Sequence, residues 1–215
     1  PVDISAEHLH ATADALRRDY PRLRIDPVAA DYTADDFQLP DDPDHRRKRV
    51  VYFPGSTIGN FSRDEALAFL RHAAEVVGPG GGLLIGVDLK KDPAVLERAY
   101  DDEEGVTAAF NLNLLGRINR ELGGTFDLDA WHHRAVWNDA AGRVELYLVS
   151  ARDQTALVCG VPFTFSADEA VHTENSHKYT PDGFARLAAA AGWRLRHRWL
   201  DADELFSVQY LGVPA

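Results

Sequence analysis

The sequence predicts an α/β fold: a largely parallel sheet with crossover helices, interrupted by an inserted α+β segment. Three observations carry this. Short apolar runs alternate with helix-patterned segments through residues 1–92, the order of a sheet wound with helices. From about Pro93 the pattern changes to helical and then to several alternating strands. Residues 177–215 return to one helix and two strands. The expected division is therefore a core of 1–92 plus 177–215, with 93–176 inserted.

The elements follow in order. "PVDIS" is a short apolar piece ending at Asp3 and Ser5, and "AEHLHATADALRRDYP" places Leu9, Ala13 and Leu16 at helical spacing before Pro21. "LRIDPVAADYT" reads as a strand ending at Asp31-Tyr32, and "LPDDPDHRRKR" as a charged surface loop. "RVVYFPG" is the third strand. "SRDEALAFLRHAAEVV" is a helix opened by Ser62 with Glu65 three residues on, a capping box. "GPGGGLLIGVDLKKD" turns into the fourth strand. Residues 92–122 read as one helical stretch, and "RVELYLVS" and "TALVCGVPFTF" as a hairpin or meander. Thr180 caps the last helix, with Asp182 in its first turn, and Gly192 ends it.

Composition narrows the function classes. The chain has 215 residues, 45% hydrophobic and 27% charged, with a net charge of −11. That acidic balance argues against nucleic acid as a partner, which calls for a basic face. No apolar run approaches the length of a membrane span. Cys159 is the single cysteine; it forms no intrachain disulfide, its run "ALVCGV" reads as strand core, and a cytoplasmic location is the expectation. The chain contains no methionine and opens on "PVDIS", so its start is expected to be cut from something longer.

Ligands of wound α/β sheets sit at the carboxyl ends of the strands. Asp3, Asp31-Tyr32, Gly55-Ser56-Thr57 and Asp88 all fall at such ends. A carboxylate there can accept both hydroxyls of a ribose diol, which suits Asp3. Asp31 and Tyr32 suit an adenine amino group and ring. "GPGGG", Gly78 to Gly82, is not a phosphate loop, because it follows a helix and opens a strand. In "HTENSHKYT", Glu174 and Ser176 share a face of an extended segment, fit for a small polar cation or for ring N–H groups. His172 and His177 lack a third ligand at any metal-binding spacing, so no metal is expected.

Three stretches in one order, "FPGSTIGNF", "YDDEEGVTAAFNLNLLGRINRELGGTFD" and "HTENSHKYT", resemble the histidine-specific N-methyltransferase family of ergothioneine biosynthesis. The resemblance runs from Pro1 to the C-terminus. It implies a Rossmann-like sheet of the S-adenosylmethionine-dependent methyltransferase type with an inserted α+β substrate domain. The implied cofactor is S-adenosyl-L-methionine (SAM), and the implied substrate is L-histidine, trimethylated at its α-amino nitrogen to hercynine. By the same resemblance Asp3 holds the cofactor ribose, Asp31 and Tyr32 lie at the adenine, and Gly55 and Ser56 line the cofactor site. Gly55 and Thr57 border the reacting amine. Asn60 and Tyr100 hold the substrate carboxylate, and Glu174 and Ser176 receive the two imidazole nitrogens.

The sequence departs from that family at its start. The family's glycine-rich cofactor loop, its first strand and a further piece of its substrate domain have no counterpart here. Since the first strand of such a sheet lies at its centre, the neighbouring strands are expected to stand apart or to draw a strand from a partner. Two other readings are a methyltransferase of the same fold acting on another amine, and a non-catalytic binding module that kept the fold.

Overall fold

The computed structural model describes residues 1–34, 37–39 and 48–215; most of the charged stretch expected as a loop, residues 40–47, lies outside them. β1 (Val2–Asp3), α1 (Ala6–Asp19) and β2 (Val28–Ala29) form a small parallel β-α-β unit, with Val2 opposite Val28. The second strand is far shorter than the sequence suggests. β3 (Val50–Phe53), α2 (Arg63–Val77) and β4 (Gly82–Asp88) form a second such unit, again parallel. β4 then pairs antiparallel with β11 (Phe206–Gly212), which pairs with β10 (Arg194–Leu200). The sheet order is β10-β11-β4-β3, so this sheet is mixed.

Local chemistry explains the helices. Ser62 and Glu65 form the expected reciprocal capping box on α2. Ala66, Leu70, Ala73 and Val77 of α2 recur at helical spacing and are buried. They meet Leu83, Ile85 and Val87 of β4, which alternate on one sheet face. α5 (Pro181–Ala190), capped by Thr180, adds Phe184, Leu187 and Ala188 to the same core. Trp193 closes it, donating its indole N–H to the Leu70 carbonyl at 2.8 Å, so the bulkiest side chain of this core brings no unpaired indole nitrogen.

β1 and β2 do not join this sheet. An apolar cleft of about 500 Å³ lies between Val2 and the Val50–Phe53 strand. Val50 and Tyr52 of β3 remain exposed beside it.

Residues 93–177 carry their own layers. The expected single helical stretch is two helices, α3 (Pro93–Tyr100) and α4 (Val106–Leu122). The break is physical: Asp102 turns its carboxylate onto the N–H groups of Val106 and Thr107, both at 2.8 Å, and Gly105 takes φ +70°. The Thr107 side chain, together with those backbone bonds, lowers the Asp102 carboxyl to a pKa of about 2. β5 (Trp131–Asn138), β6 (Arg143–Ser150) and β9 (Ala170–His177) form an antiparallel sheet in the order β5-β6-β9. β7 (Gln154–Val158) and β8 (Val161–Phe165) form a separate hairpin.

That hairpin corrects the reading of Cys159 as strand core. Val158 pairs with Val161, leaving Cys159 and Gly160 as a two-residue loop. Both have positive φ, +50° and +79°, as tight hairpin connections require. The thiol is exposed.

Candidate functional site

Where β3 ends, the chain turns through Pro54–Ser56 into a 3₁₀ turn at Thr57–Asn60. Ser56 sits in the left-handed region, φ 57°, a costly position for a residue with a side chain. Its hydroxyl accepts the backbone N–H of Asp88 at 2.9 Å, tying the turn to the end of β4. Ile58 and Gly59 are buried, whereas Gly55, Thr57 and Asn60 face solvent. A Cβ on Gly59 would stand 2.8 Å from the His177 carbonyl oxygen and 3.5 Å from Ser176 Oγ. Only glycine lets this turn lie against β9.

Asp88 links the two sheets. Its Oδ1 pairs with Lys91 and its Oδ2 with Lys178, each at 2.6 Å. Backbone bonds reinforce the junction: Tyr179 N–H donates to Asp88 O, and Lys90 N–H to Tyr179 O. Lys178 is 4% exposed. Its ammonium also donates to Tyr100 Oη at 2.6 Å and to Ser176 Oγ at 2.9 Å. Tyr100 Oη and Ser176 Oγ are themselves hydrogen-bonded at 2.8 Å. Glu174, two residues before Ser176 on β9, is half-buried; burial raises its carboxyl above the ordinary glutamate range, and the Lys178 charge opposes that rise.

Tyr100 is held from behind. His133 Nε2 lies 2.7 Å from the Tyr100 carbonyl, and its Nδ1 lies 3.0 Å from the Asn111 amide nitrogen. A carbonyl only accepts, so Nε2 carries the proton and Nδ1 accepts from Asn111. Asn111, buried on α4, also donates to the Tyr147 carbonyl at 3.1 Å. This network fixes the C-terminus of α3, and with it the phenol that meets Ser176.

A second cluster lies at the ends of β1 and β2. Tyr32 packs edge-on against Phe53 and Phe69, with ring centroids 5.8 and 6.1 Å away. Burial raises its phenol pKa, and the nearby charges of Asp3 and Asp31 add to the rise. Asp31 Oδ1 accepts the Thr33 hydroxyl at 2.6 Å and the Thr33 N–H at 2.8 Å, which lower its carboxyl pKa. Asp3 Oδ1 accepts the Ser5 N–H at 2.7 Å. In each carboxylate the second oxygen takes no hydrogen bond among the described residues. Phe53 ends β3 just before the Gly55 turn, so the two clusters flank one strand end.

The residues singled out in the sequence thus fall into two groups, Asp3, Asp31 and Tyr32 in one, and Gly55 to Asn60, Tyr100, Glu174 and Ser176 in the other. A profile of the SAM-dependent histidine-specific methyltransferase family matches residues 1–213. The chain belongs to this family. Histidine N-alpha-methyltransferases of Mycolicibacterium smegmatis and Mycobacterium tuberculosis are 40% and 41% identical to it over 203 residues. Those alignments take in 94% of this chain but only 62% of each relative. The L-tryptophan methyltransferase trpM of Psilocybe serbica is 32% identical over 165 residues, covering 75% of this chain and 45% of that one. Among solved structures, an S-adenosylmethionine-dependent methyltransferase of Clostridium acetobutylicum superposes with a TM-score of 0.52 at 10% identity, over 100% of this chain and 74% of that one. That likeness shows the Rossmann-like α/β fold of this family member.

Sequence reading missed Lys178 and the role of Asp88 as its counter-ion. The signal was present: Glu174, Ser176 and Lys178 recur at a spacing of two, the strand period. It missed His133 as well, whose partners come from two helices distant in sequence.

Proposed function

We propose that the protein transfers methyl groups from SAM to the α-amino nitrogen of L-histidine, yielding hercynine for ergothioneine biosynthesis. The observation that carries this is the hydrogen-bonded meeting of Tyr100 and Ser176 beside the Gly55–Asn60 turn, with Glu174 on the same strand as Ser176. One side of the site offers a carboxylate and a hydroxyl for the two imidazole nitrogens. The other offers Asn60 and the Tyr100 phenol for the substrate carboxylate. An amino acid anchored at both ends leaves its amine free between them, next to Gly55 and Thr57.

The residues of the second cluster fit an adenosine. Among the described residues Asp3 has a carboxylate oxygen open to a ribose diol and Asp31 one open to an amino group, and Tyr32 adds an aromatic ring. Gly55 and Ser56 complete that side. SAM, when bound there, supplies a methyl group activated on a sulfonium. Each transfer forms an N–CH₃ bond as the S–CH₃ bond breaks, and the amine nitrogen gives up one proton. Positioning is the protein's main contribution, since an in-line approach to the methyl carbon needs little else. Three rounds leave a quaternary nitrogen with no proton to lose, which ends the sequence.

The test is incubation with SAM and histidine, followed by mass spectrometry for one, two and three methyl additions. The relative named for L-tryptophan favours a second reading, methylation of another aromatic amino acid. Products from tryptophan and none from histidine would establish that reading instead. Absence of product from any amino acid, with SAM bound, would point to a binding module.

A further inference from the structure

We propose that a groove on the reverse side of the His177–Thr180 segment binds a phosphate monoester with a compact apolar body, apart from the methyl-transfer site. Such a site is independent of which amino acid the protein methylates. Residues 176–179 run extended from β9 into a bridge between Tyr179 and Leu89, so successive side chains point to opposite sides. Ser176 and Lys178 turn toward Tyr100. His177 and Tyr179 line a groove of about 640 Å³, walled by α2, α5 and the β5–β6 turn.

Three cations stand at this groove, each from a different element. Arg63 opens α2, Lys90 follows β4, and Arg186 lies on α5. The Lys90 ammonium rests against the β5–β6 turn, 2.8 Å from where a Cβ on Gly142 would sit, and a guanidinium nitrogen of Arg186 lies 3.9 Å from the same position on Gly183. Among the described residues none of the three forms an ion pair. None of the residues lining the groove is acidic, although the chain carries 34 acids against 23 lysines and arginines. Asp64 and Asp139 adjoin it in sequence but do not line it. Asp182, in the first turn of α5, is turned to Arg198 at 2.8 Å. Behind the groove, Asp88 is shared by Lys91 and Lys178, which leaves that cluster with an excess of positive charge.

Tyr179 adds a donor. Burial raises its phenol to a pKa of about 12, and the Arg63 charge opposes that rise, so the hydroxyl keeps its proton at neutral pH beside a cation. The arrangement selects the ligand. A planar carboxylate is satisfied by one guanidinium fork, whereas a phosphate group carries roughly −1.5 to −2 charges at pH 7 and accepts from several directions at once. Cations converging from three elements suit the phosphate. Leu67, Leu187 and Ala190 supply an apolar wall beside them, against which an aromatic or short aliphatic body can lie. The volume is that of a small-ligand site.

The experiment is calorimetric titration of the full chain with phenyl phosphate, inorganic phosphate and benzoate in a low-salt, phosphate-free buffer. Phenyl phosphate should bind at a single site, about tenfold or more tighter than either of the others, since one lacks the apolar body and the other the multiply accepting head. Arg63→Gln and Arg186→Gln, both at exposed positions, should each weaken it about tenfold, the size of a lost hydrogen bond to a charged group, with the melting temperature unmoved. Arg117→Gln removes an equal charge from α4, which does not line the groove, and should leave the affinity unchanged. Saturating SAM and histidine should not displace the ligand. Inorganic phosphate binding as tightly as phenyl phosphate would overturn the ester, and benzoate doing so would overturn the phosphate. Absence of binding, undiminished affinity in both groove variants, or displacement by SAM would overturn the site itself. A failed methyl-transfer assay would leave these results standing, so the two readings fall separately.

Discussion

Gly59 and His177 are locked backbone to backbone: a methyl on Gly59 would sit 2.8 Å from the His177 carbonyl oxygen. The neighbour is main chain in a paired strand, not the far end of a flexible side chain. Gly59→Ala must therefore push the turn off β9 or bend the strand. We expect a loss of about 1–3 kcal/mol, the usual cost of overfilling a packed site, together with weaker histidine binding. Urea denaturation checks the first, and an unchanged midpoint would show that the contact yields.

Glu174→Ala should weaken histidine binding about ten- to a hundred-fold, because a hydrogen bond to a charged group contributes roughly 1.5–3 kcal/mol. SAM affinity should hold. Titration calorimetry with each ligand separates the two, and unaltered histidine affinity would remove Glu174 from the imidazole role.

The same carboxylate should make a pH-dependent demand on stability. Burial raises the Glu174 pKa in the folded state, so the folded protein binds this proton more tightly than the unfolded chain does. The cost of ionised Glu174 is absent below the unfolded pKa and is fully present once pH exceeds the raised folded value. Glu174→Gln should accordingly raise the melting temperature near neutral pH, and the gain should vanish as the solution is acidified through the glutamate range. A gain that is the same at both ends of that range would contradict the desolvated carboxylate.

Cys159 should react with a maleimide to one equivalent without unfolding, since its thiol is exposed at the tip of the β7–β8 hairpin. Cys159→Asn should be tolerated or mildly stabilising, because asparagine accepts positive φ better than cysteine does. Labelling that required denaturant would place the thiol elsewhere.

How far the sequence disclosed this arrangement depended on the range of each interaction. The capping box at Ser62 and Glu65, the polar strand ends and the start of α5 at Thr180 are written within a few residues, and all could be read directly. So could the grouping of Glu174 with Ser176, which needs only the strand period. The break at Asp102 was written locally too, but four consecutive acids hid one capping residue among solvated neighbours. Cys159 misled because an apolar run with a cysteine suggests a core, while the adjoining Gly160 marks a hairpin tip. Lys178 was beyond reach for a different reason. A lysine reads as surface unless its partners are known, and its partners Asp88 and Tyr100 come from distant stretches of the chain.

The open flank of β3 has a colloidal consequence. Val50 is 52% and Tyr52 68% exposed, and among the described residues β3 pairs with a strand on one side only. Such a flank is adhesive toward other strands. At neutral pH a charge of −11 keeps molecules apart. Near the isoelectric point of about 5.2 that repulsion disappears while the adhesive flank does not. Solutions of this protein should therefore be clearest well above that pH and low in salt, and should turn turbid first as they are acidified toward it, before the core has begun to melt.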